Sequence, residues 1–256
     1  MNLQTRNLTV GYEGRAVLHD LTLTLPAGRV SAILGPNGCG KSTLLKTLAR
    51  LIRPRGGEVL LAGKPLRATP DRALARQMAI LPQAPVAPEG ITVADLVRRG
   101  RLPWRGLLGP WRDSDARACE EALAAVDLTA MAELPLAALS GGQRQRAWIA
   151  LVLAQTPQCL LLDEPTTFLD LVHQVEILRL LRRLNAARGM TVVSVLHDMG
   201  LAARFSDHLL LLGPDGPVAE GPPATVLTEA NLKQAFGLEA VIHPDPVSGT
   251  PMVIPR

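Results

Sequence analysis

The chain has 256 residues, 47% of them apolar and 20% charged, with a net charge of +4 at pH 7. That apolar content suffices for a substantial core and excludes a disordered chain, while no apolar run reaches the roughly 18–20 residues needed to cross a bilayer. Aromatic residues make up only 3%, which argues against stacking platforms for single-stranded nucleic acid. The three cysteines lack metal-like spacing and fit a reduced, cytosolic protein. The mild basic surplus is compatible with a solvated arginine-rich surface, an anionic membrane face or nucleic acid, and charge alone does not separate these.

Met1–Arg6 has no charged region followed by an apolar one, so no secretion signal is expected. Leu3–Val10 alternates apolar and polar residues, and Leu21–Leu25 does so again after a turn at Glu13-Gly14. This predicts an N-terminal antiparallel edge layer with one wet face. Val30–Leu34 is short and apolar and runs into Gly35-Pro36-Asn37-Gly38-Cys39-Gly40-Lys41-Ser42-Thr43, with helix formers over Leu44–Leu51. Pro54-Arg55-Gly56-Gly57 breaks the chain before strands at Glu58–Leu61 and Met78–Leu81. Between Thr92 and Gln155 the pattern turns helical, at Val93–Arg99, Ser114–Val126 and Gln143–Gln155, with an irregular joint over Asp127–Leu139.

Strand–helix alternation returns with Cys159–Asp163, Leu171–Arg188, Thr191–Leu196, a helix near Met199–Phe205, and a last core strand at Leu209–Leu212. The tail from Pro222 holds a short helix near Glu229–Phe236, and Ala240–Ile242 and Met252–Ile254 are expected to pair across the turn at Val247-Ser248-Gly249-Thr250. The sum is an α/β fold: a P-loop nucleoside triphosphatase core with a mostly parallel sheet, an N-terminal antiparallel β layer and an inserted helical lobe. The core is expected at 1–91 and 156–256, the lobe at 92–155.

Gly35–Ser42 matches G-x-x-x-x-G-K-[ST] between a strand and a helix. Its glycines let backbone N–H groups curl around phosphate oxygens, and the helix behind adds the positive end of its dipole. Lys41 supplies charge for the β/γ-phosphates, and the Ser42 hydroxyl suits Mg²⁺. Leu160-Leu161-Leu162-Asp163-Glu164 is a buried strand ending in two acids at the edge where ligands bind. Asp163 is the metal partner of the phosphate loop, and Glu164 is placed to orient and deprotonate water. Leu139-Ser140-Gly141-Gly142-Gln143 offers a second capped helix N-terminus, so one chain carries two phosphate-binding edges. A nucleotide clamped between two copies is the arrangement this suggests. Cys39 reads as a loop residue and not a catalyst, although the helix N-terminus and Lys41 would act to lower its thiol pKa.

With these motifs the chain resembles the ATP-binding subunits of ABC transporters over nearly its whole length, and Leu139–Gln143 is similar to that family's signature sequence. The resemblance implies further roles. Gln83 matches the glutamine that meets Mg²⁺ and water and links core to lobe, although a polar loop residue would read alike. His197 matches the histidine that contacts the γ-phosphate, or is a structural residue at a strand end. Asp170 matches the loop crossing the dimer interface, and also suits the N-cap of the helix at Leu171. Tyr12 matches the aromatic that stacks on adenine, or is a surface turn residue.

The implied assembly is a homodimer with ATP and Mg²⁺ between its halves. It works with integral membrane permease subunits on the cytoplasmic face of the inner membrane, served by a periplasmic siderophore-binding protein and with no nucleic acid. Arg99-Gly100-Arg101-Leu102-Pro103-Trp104 with Trp111-Arg112, and Thr166–Asp170 followed by His173–Glu176, are similar to iron–siderophore and vitamin B12 importers, while Gln143–Ala150 and the ending Asp245–Pro251 are most similar to the ferric-enterobactin type. Vitamin B12 or haem import, or a non-transport ABC ATPase, is the alternative. Phe168 departs from the Ser or Asn more usual before the interface aspartate. Trp104 and Trp111 either pack the lobe or face a permease helix.

Overall fold

The computed structural model describes residues 1–12, 15–105 and 109–256, so the turn expected at Glu13-Gly14 lies outside the described residues. β1 (Leu3–Tyr12) and β2 (Arg15–Leu25) pair antiparallel, Leu3 opposite Leu25. Thr5 and Leu8 both face inward although three positions apart, because Asn7 adopts a left-handed conformation (φ 46°) and the register shifts there. Such a bulge restores the apolar phase after a slip. β3 (Val30–Leu34) is buried along its length and leads through the phosphate loop into α1 (Lys41–Leu48). β4 (Gly56–Leu61) joins the other edge of β1, and β5 (Lys64–Pro65) follows, giving the sheet order β2-β1-β4-β5. β1 is therefore an interior strand of this sheet and not an edge. Its alternation reports a wet face, not an unpaired backbone.

α2 (Asp71–Gln77) escapes the sequence reading because only Leu74 of its seven residues is buried, which leaves no apolar stripe. It precedes β6 (Met78–Leu81). The helical stretch comprises α3 (Val93–Arg98), α4 (Leu102–Arg105), α5 (Asp113–Ala125) and α6 (Gly141–Ala154), with two short 3₁₀ turns in the expected joint. Its buried residues, among them Val97, Leu123 and Ile149, belong to the same hydrophobic cluster as Leu160 and Leu162 of β7 (Cys159–Leu162). α7 (Leu171–Arg188), β8 (Thr191–Val195), α8 (Met199–Phe205) and β9 (His208–Gly213) complete the alternation.

The second sheet has the order β10-β9-β3-β8-β7-β6, with β3, β6, β7, β8 and β9 parallel. β10 (Gly216–Gly221) pairs antiparallel with β9 and closes this edge, where the sequence led us to end the sheet at Leu209–Leu212. Gly216-Pro217 reads as a turn, and proline is tolerated in a sheet only at such an edge. α9 (Pro223–Val226) and α10 (Glu229–Phe236) follow. β11 (Ala240–Pro244) and β12 (Pro251–Pro255) pair as expected, β12 lying against α8.

This topology sets the site. β3, β6, β7 and β8 run parallel, so Gly35, Gln83, Asp163-Glu164 and His197 all emerge at one carboxyl edge of the sheet. Among the described residues no helix is long and apolar enough to cross a membrane.

Candidate functional site

The phosphate loop leaves β3 through Gly35 (φ 152°), where a Cβ would lie 2.6 Å from the Leu212 carbonyl oxygen and 2.7 Å from Cys39 Sγ. Only glycine fits there. Lys41 is buried, and its ammonium donates to the Gly35 and Pro36 carbonyls at 2.8 Å each. Asn37 and Gly38 are exposed, while Gly40 and Thr43 are buried under the loop. Asn37, Gly38, Lys41, Ser42 and Thr43 line a cleft of about 300 Å³ together with Tyr12 and Glu164. Tyr12 is more than half exposed at the end of β1 and gives the cleft an aromatic wall.

Ser42 Oγ donates to Asp163 Oδ1 at 2.7 Å. Asp163 is 2% exposed, and its other oxygen is buried without a hydrogen-bond partner. An unpaired buried carboxylate oxygen is costly. Beside a hydroxyl and a phosphate loop, this is the donor set that a hard divalent cation takes, so Ser42 and Asp163 fit Mg²⁺.

Glu164 has a left-handed backbone (φ 53°) just beyond β7. That conformation is strained for a residue with a Cβ. It turns the carboxylate into a ring of donors: Oε2 accepts from Gln83 Nε2 at 2.6 Å and from Thr167 Oγ1 at 2.9 Å, and Oε1 lies 2.7 Å from His197 Nε2. Gln83, Glu164 and His197, distant in sequence, thus meet on one carboxylate. Gln83 spends its amide N–H on Glu164, and its amide oxygen makes no hydrogen bond among the described residues. Thr167 was assigned no role from the sequence. Its only signal was the i+3 spacing from Glu164, which a turn closes through the Thr167 N–H to Glu164 carbonyl bond.

Cys39 departs from expectation in its pKa alone. Burial pushes its thiol pKa up, and this outweighs the charge of Lys41 and the loop amides. It packs as a buried loop residue.

At the second anion edge, Ser140 N-caps α6. Its Oγ accepts from the Gln143 N–H at 3.3 Å, and Gln143 Oε1 accepts from the Ser140 N–H at 3.0 Å, forming a capping box. Gly142 packs under the His173 ring, where a Cβ would overlap the imidazole. His173 belongs to the first turn of α7, which Asp170 caps by accepting the His173 N–H at 3.0 Å. That amide, with the His173 ring 2.7 Å from the same oxygen, holds the Asp170 carboxyl below the usual range. The two helix starts are thereby locked to each other. Beside them Phe168 (94% exposed, φ 65°), Leu171 and Val172 form an exposed apolar ridge. None of Ser140, Gly141, Gly142, Gln143 and Asp170 lines the phosphate-loop cleft. One chain does not bring the two edges together.

The profile of the ABC transporter family matches residues 18–167. The chain is similar to the achromobactin transport ATP-binding protein of Dickeya dadantii, at 49% identity over 99% of this chain and 94% of that protein. It is 45% identical to the ferric enterobactin transport ATP-binding protein of Escherichia coli, over 99% of this chain and 93% of that one. Among solved structures, a putative metal-chelate type ABC transporter in an inward-facing conformation superposes with a TM-score of 0.86 at 30% identity, covering 99% of this chain and 96% of that one.

Proposed function

The chain belongs to the ABC transporter family as an ATP-binding, ATP-hydrolysing subunit, and we propose that it works as a homodimer driving ferric siderophore import through a membrane permease. The observation that carries this reading is the convergence of Gln83, Thr167 and His197 on Glu164, beside Lys41, Ser42 and Asp163, while the edge at Ser140–Gln143 lies outside that cleft. The near full-length likeness to two siderophore transport ATP-binding proteins supports the cargo.

In this reading Tyr12 stacks on the base of ATP, and the amides of Gly35–Thr43 with Lys41 hold its phosphates. Ser42 and Asp163, together with Gln83, would hold Mg²⁺, which would supply neutralising charge at the phosphates. Gln83 and Thr167 orient Glu164 so that its free lone pairs take the proton of the attacking water as ADP leaves. His197 contacts the γ-phosphate from the end of β8. Ser140, Gly141 and Gly142 of the second copy complete the same phosphate, so only the closed pair uses both edges. Asp170 and the ridge at Phe168 lie across that junction. Residues 92–155 act as the lobe that presents this edge and meets the permease, while 1–91 and 156–256 hold the nucleotide. The subunit sits on the cytoplasmic face of the inner membrane, and a periplasmic siderophore-binding protein delivers the cargo.

The test is uptake by vesicles containing the complete transporter, offered ferric enterobactin, ferric hydroxamates, haem and cobalamin in turn. ATP-dependent accumulation of a ferric siderophore is expected. Uptake of cobalamin or haem alone would overturn the cargo, and recovery of the chain with DNA or ribosomes but no permease would overturn the transport role.

A further inference from the structure

The start of α6 opens on two successive glycines, Gly141 and Gly142, at the edge assigned to the partner's phosphate. Leaving out side chains bares their N–H groups to an approaching anion, but a glycine pair is also the loosest backbone with which a helix can begin. The support comes from the start of α7. Gly142 is buried while Ser140 and Gly141 beside it are exposed. Its cover is the His173 ring: a Cβ on Gly142 would lie 2.4 Å from His173 Cδ2 and 3.0 Å from its Cγ. A Cβ on Gly141 would meet Leu169 Cδ2 at 3.7 Å.

The ring is held in place from its other side. One carboxylate oxygen of Asp170 takes two donors from His173, the backbone N–H at 3.0 Å and the ring Nδ1 at 2.7 Å. A carboxylate only accepts, so Nδ1 carries the proton and the imidazole is set in one orientation. Gln174 donates from Nε2 to the Leu169 carbonyl at 2.8 Å and braces the turn that carries Asp170.

The His173 side chain still stays 37% exposed, so its burial adds little to the core. Capping of α7 requires only the Asp170 carboxylate and a backbone amide. Contact with Gly142 requires only a flat ring. A histidine serves both at once, and by doing so it joins the two helix starts through a single side chain.

We infer that His173 is a positioning residue for ATP turnover: held by Asp170, its ring fixes the Gly141–Gly142 amides in the geometry that the partner's γ-phosphate meets. This role presupposes the two-chain arrangement, and it requires no contact between His173 and nucleotide.

The test uses the full chain, in a Glu164→Gln background for ATP binding and ATP-driven dimerisation, and with Glu164 intact for turnover. His173→Ala should weaken the dimer and lower kcat about ten-fold. The ATP affinity of the single chain and the melting temperature should stay unchanged. His173→Asn keeps a donor for Asp170 but loses the ring over Gly142, so it should be as impaired as alanine. Gly142→Ala drives a methyl group into the ring. Adding His173→Ala to that variant should restore part of the lost dimer, making the two losses non-additive.

Full activity of His173→Asn, or strictly additive losses in the double variant, would overturn the role. Parallel falls in melting temperature and single-chain ATP affinity would reduce His173 to a structural residue. Absence of any ATP-dependent dimer in the Glu164→Gln chain would remove the two-chain arrangement and this role with it. A normal dimer and normal turnover in His173→Ala would remove this role alone.

Discussion

Glu164 illustrates what a single residue can and cannot disclose. Its place after an apolar strand made it a candidate base, but its orientation rests on the left-handed turn (φ 53°) that brings Gln83 and Thr167 onto one oxygen and His197 onto the other. Glu164→Gln keeps the size of the side chain and removes its ability to take a proton. Phosphate release should fall by about a hundred-fold or more, with nucleotide affinity within a factor of a few, as measured by turnover and by equilibrium binding of ATP. Normal turnover would exclude Glu164 as the base. Lys41, Ser42 and Asp163 were legible because contiguous motifs state their chemistry outright. Thr167 was not, since a threonine in a turn is ordinary until the carboxylate above it is placed. Cys39 reads as a loop residue from the sequence, which shows the neighbouring lysine but not the burial that raises its thiol pKa.

Among the elements, those with a strong period were readable to within a residue or two. α7, α8 and α10 fall at the expected positions, as does the β11–β12 hairpin. α2 and β10 were missed where a short element buries little or an edge strand carries proline. Tertiary contacts, not local pattern, hold such elements. The Arg101–Asp115 pair shows what else pattern omits. Both groups are buried, on separate elements, and Arg101 reaches on to the Ala154 carbonyl at 2.6 Å, so the pair ties α5 and the turn before α4 to the end of α6. Asp115→Asn leaves a buried guanidinium without its counter-charge. A loss of about 3 kcal/mol in unfolding free energy is expected, read from the midpoint of urea denaturation at unchanged slope. A loss below about 1 kcal/mol would mean that the carbonyl alone suffices for Arg101.

At the scale of the whole molecule, the parallel strands gather the phosphate-loop cleft at their carboxyl edge, and the start of α6 presents a second capped helix N-terminus outside that cleft. The packing of Gly142 under His173, and of His173 on Asp170, fixes that second edge to the exposed ridge at Phe168, Leu171 and Val172. In the proposed arrangement that edge and the exposed apolar ridge meet a second copy, so the functional unit would contain two chains. Ser140→Arg puts a bulky cation where the partner's γ-phosphate must enter, and in a homodimer it does so at both sites. ATPase activity should drop to background, and the ATP-bound dimer seen by light scattering in a Glu164→Gln background should disappear. Because the same change removes a helix cap worth about 1 kcal/mol, Ser140→Ala serves as its companion. It loses the cap but not the space, and should keep both the dimer and much of the activity. If Ser140→Arg hydrolysed ATP at the normal rate while folded, each chain would have to complete its own site, and the two-edge arrangement would have no part in turnover.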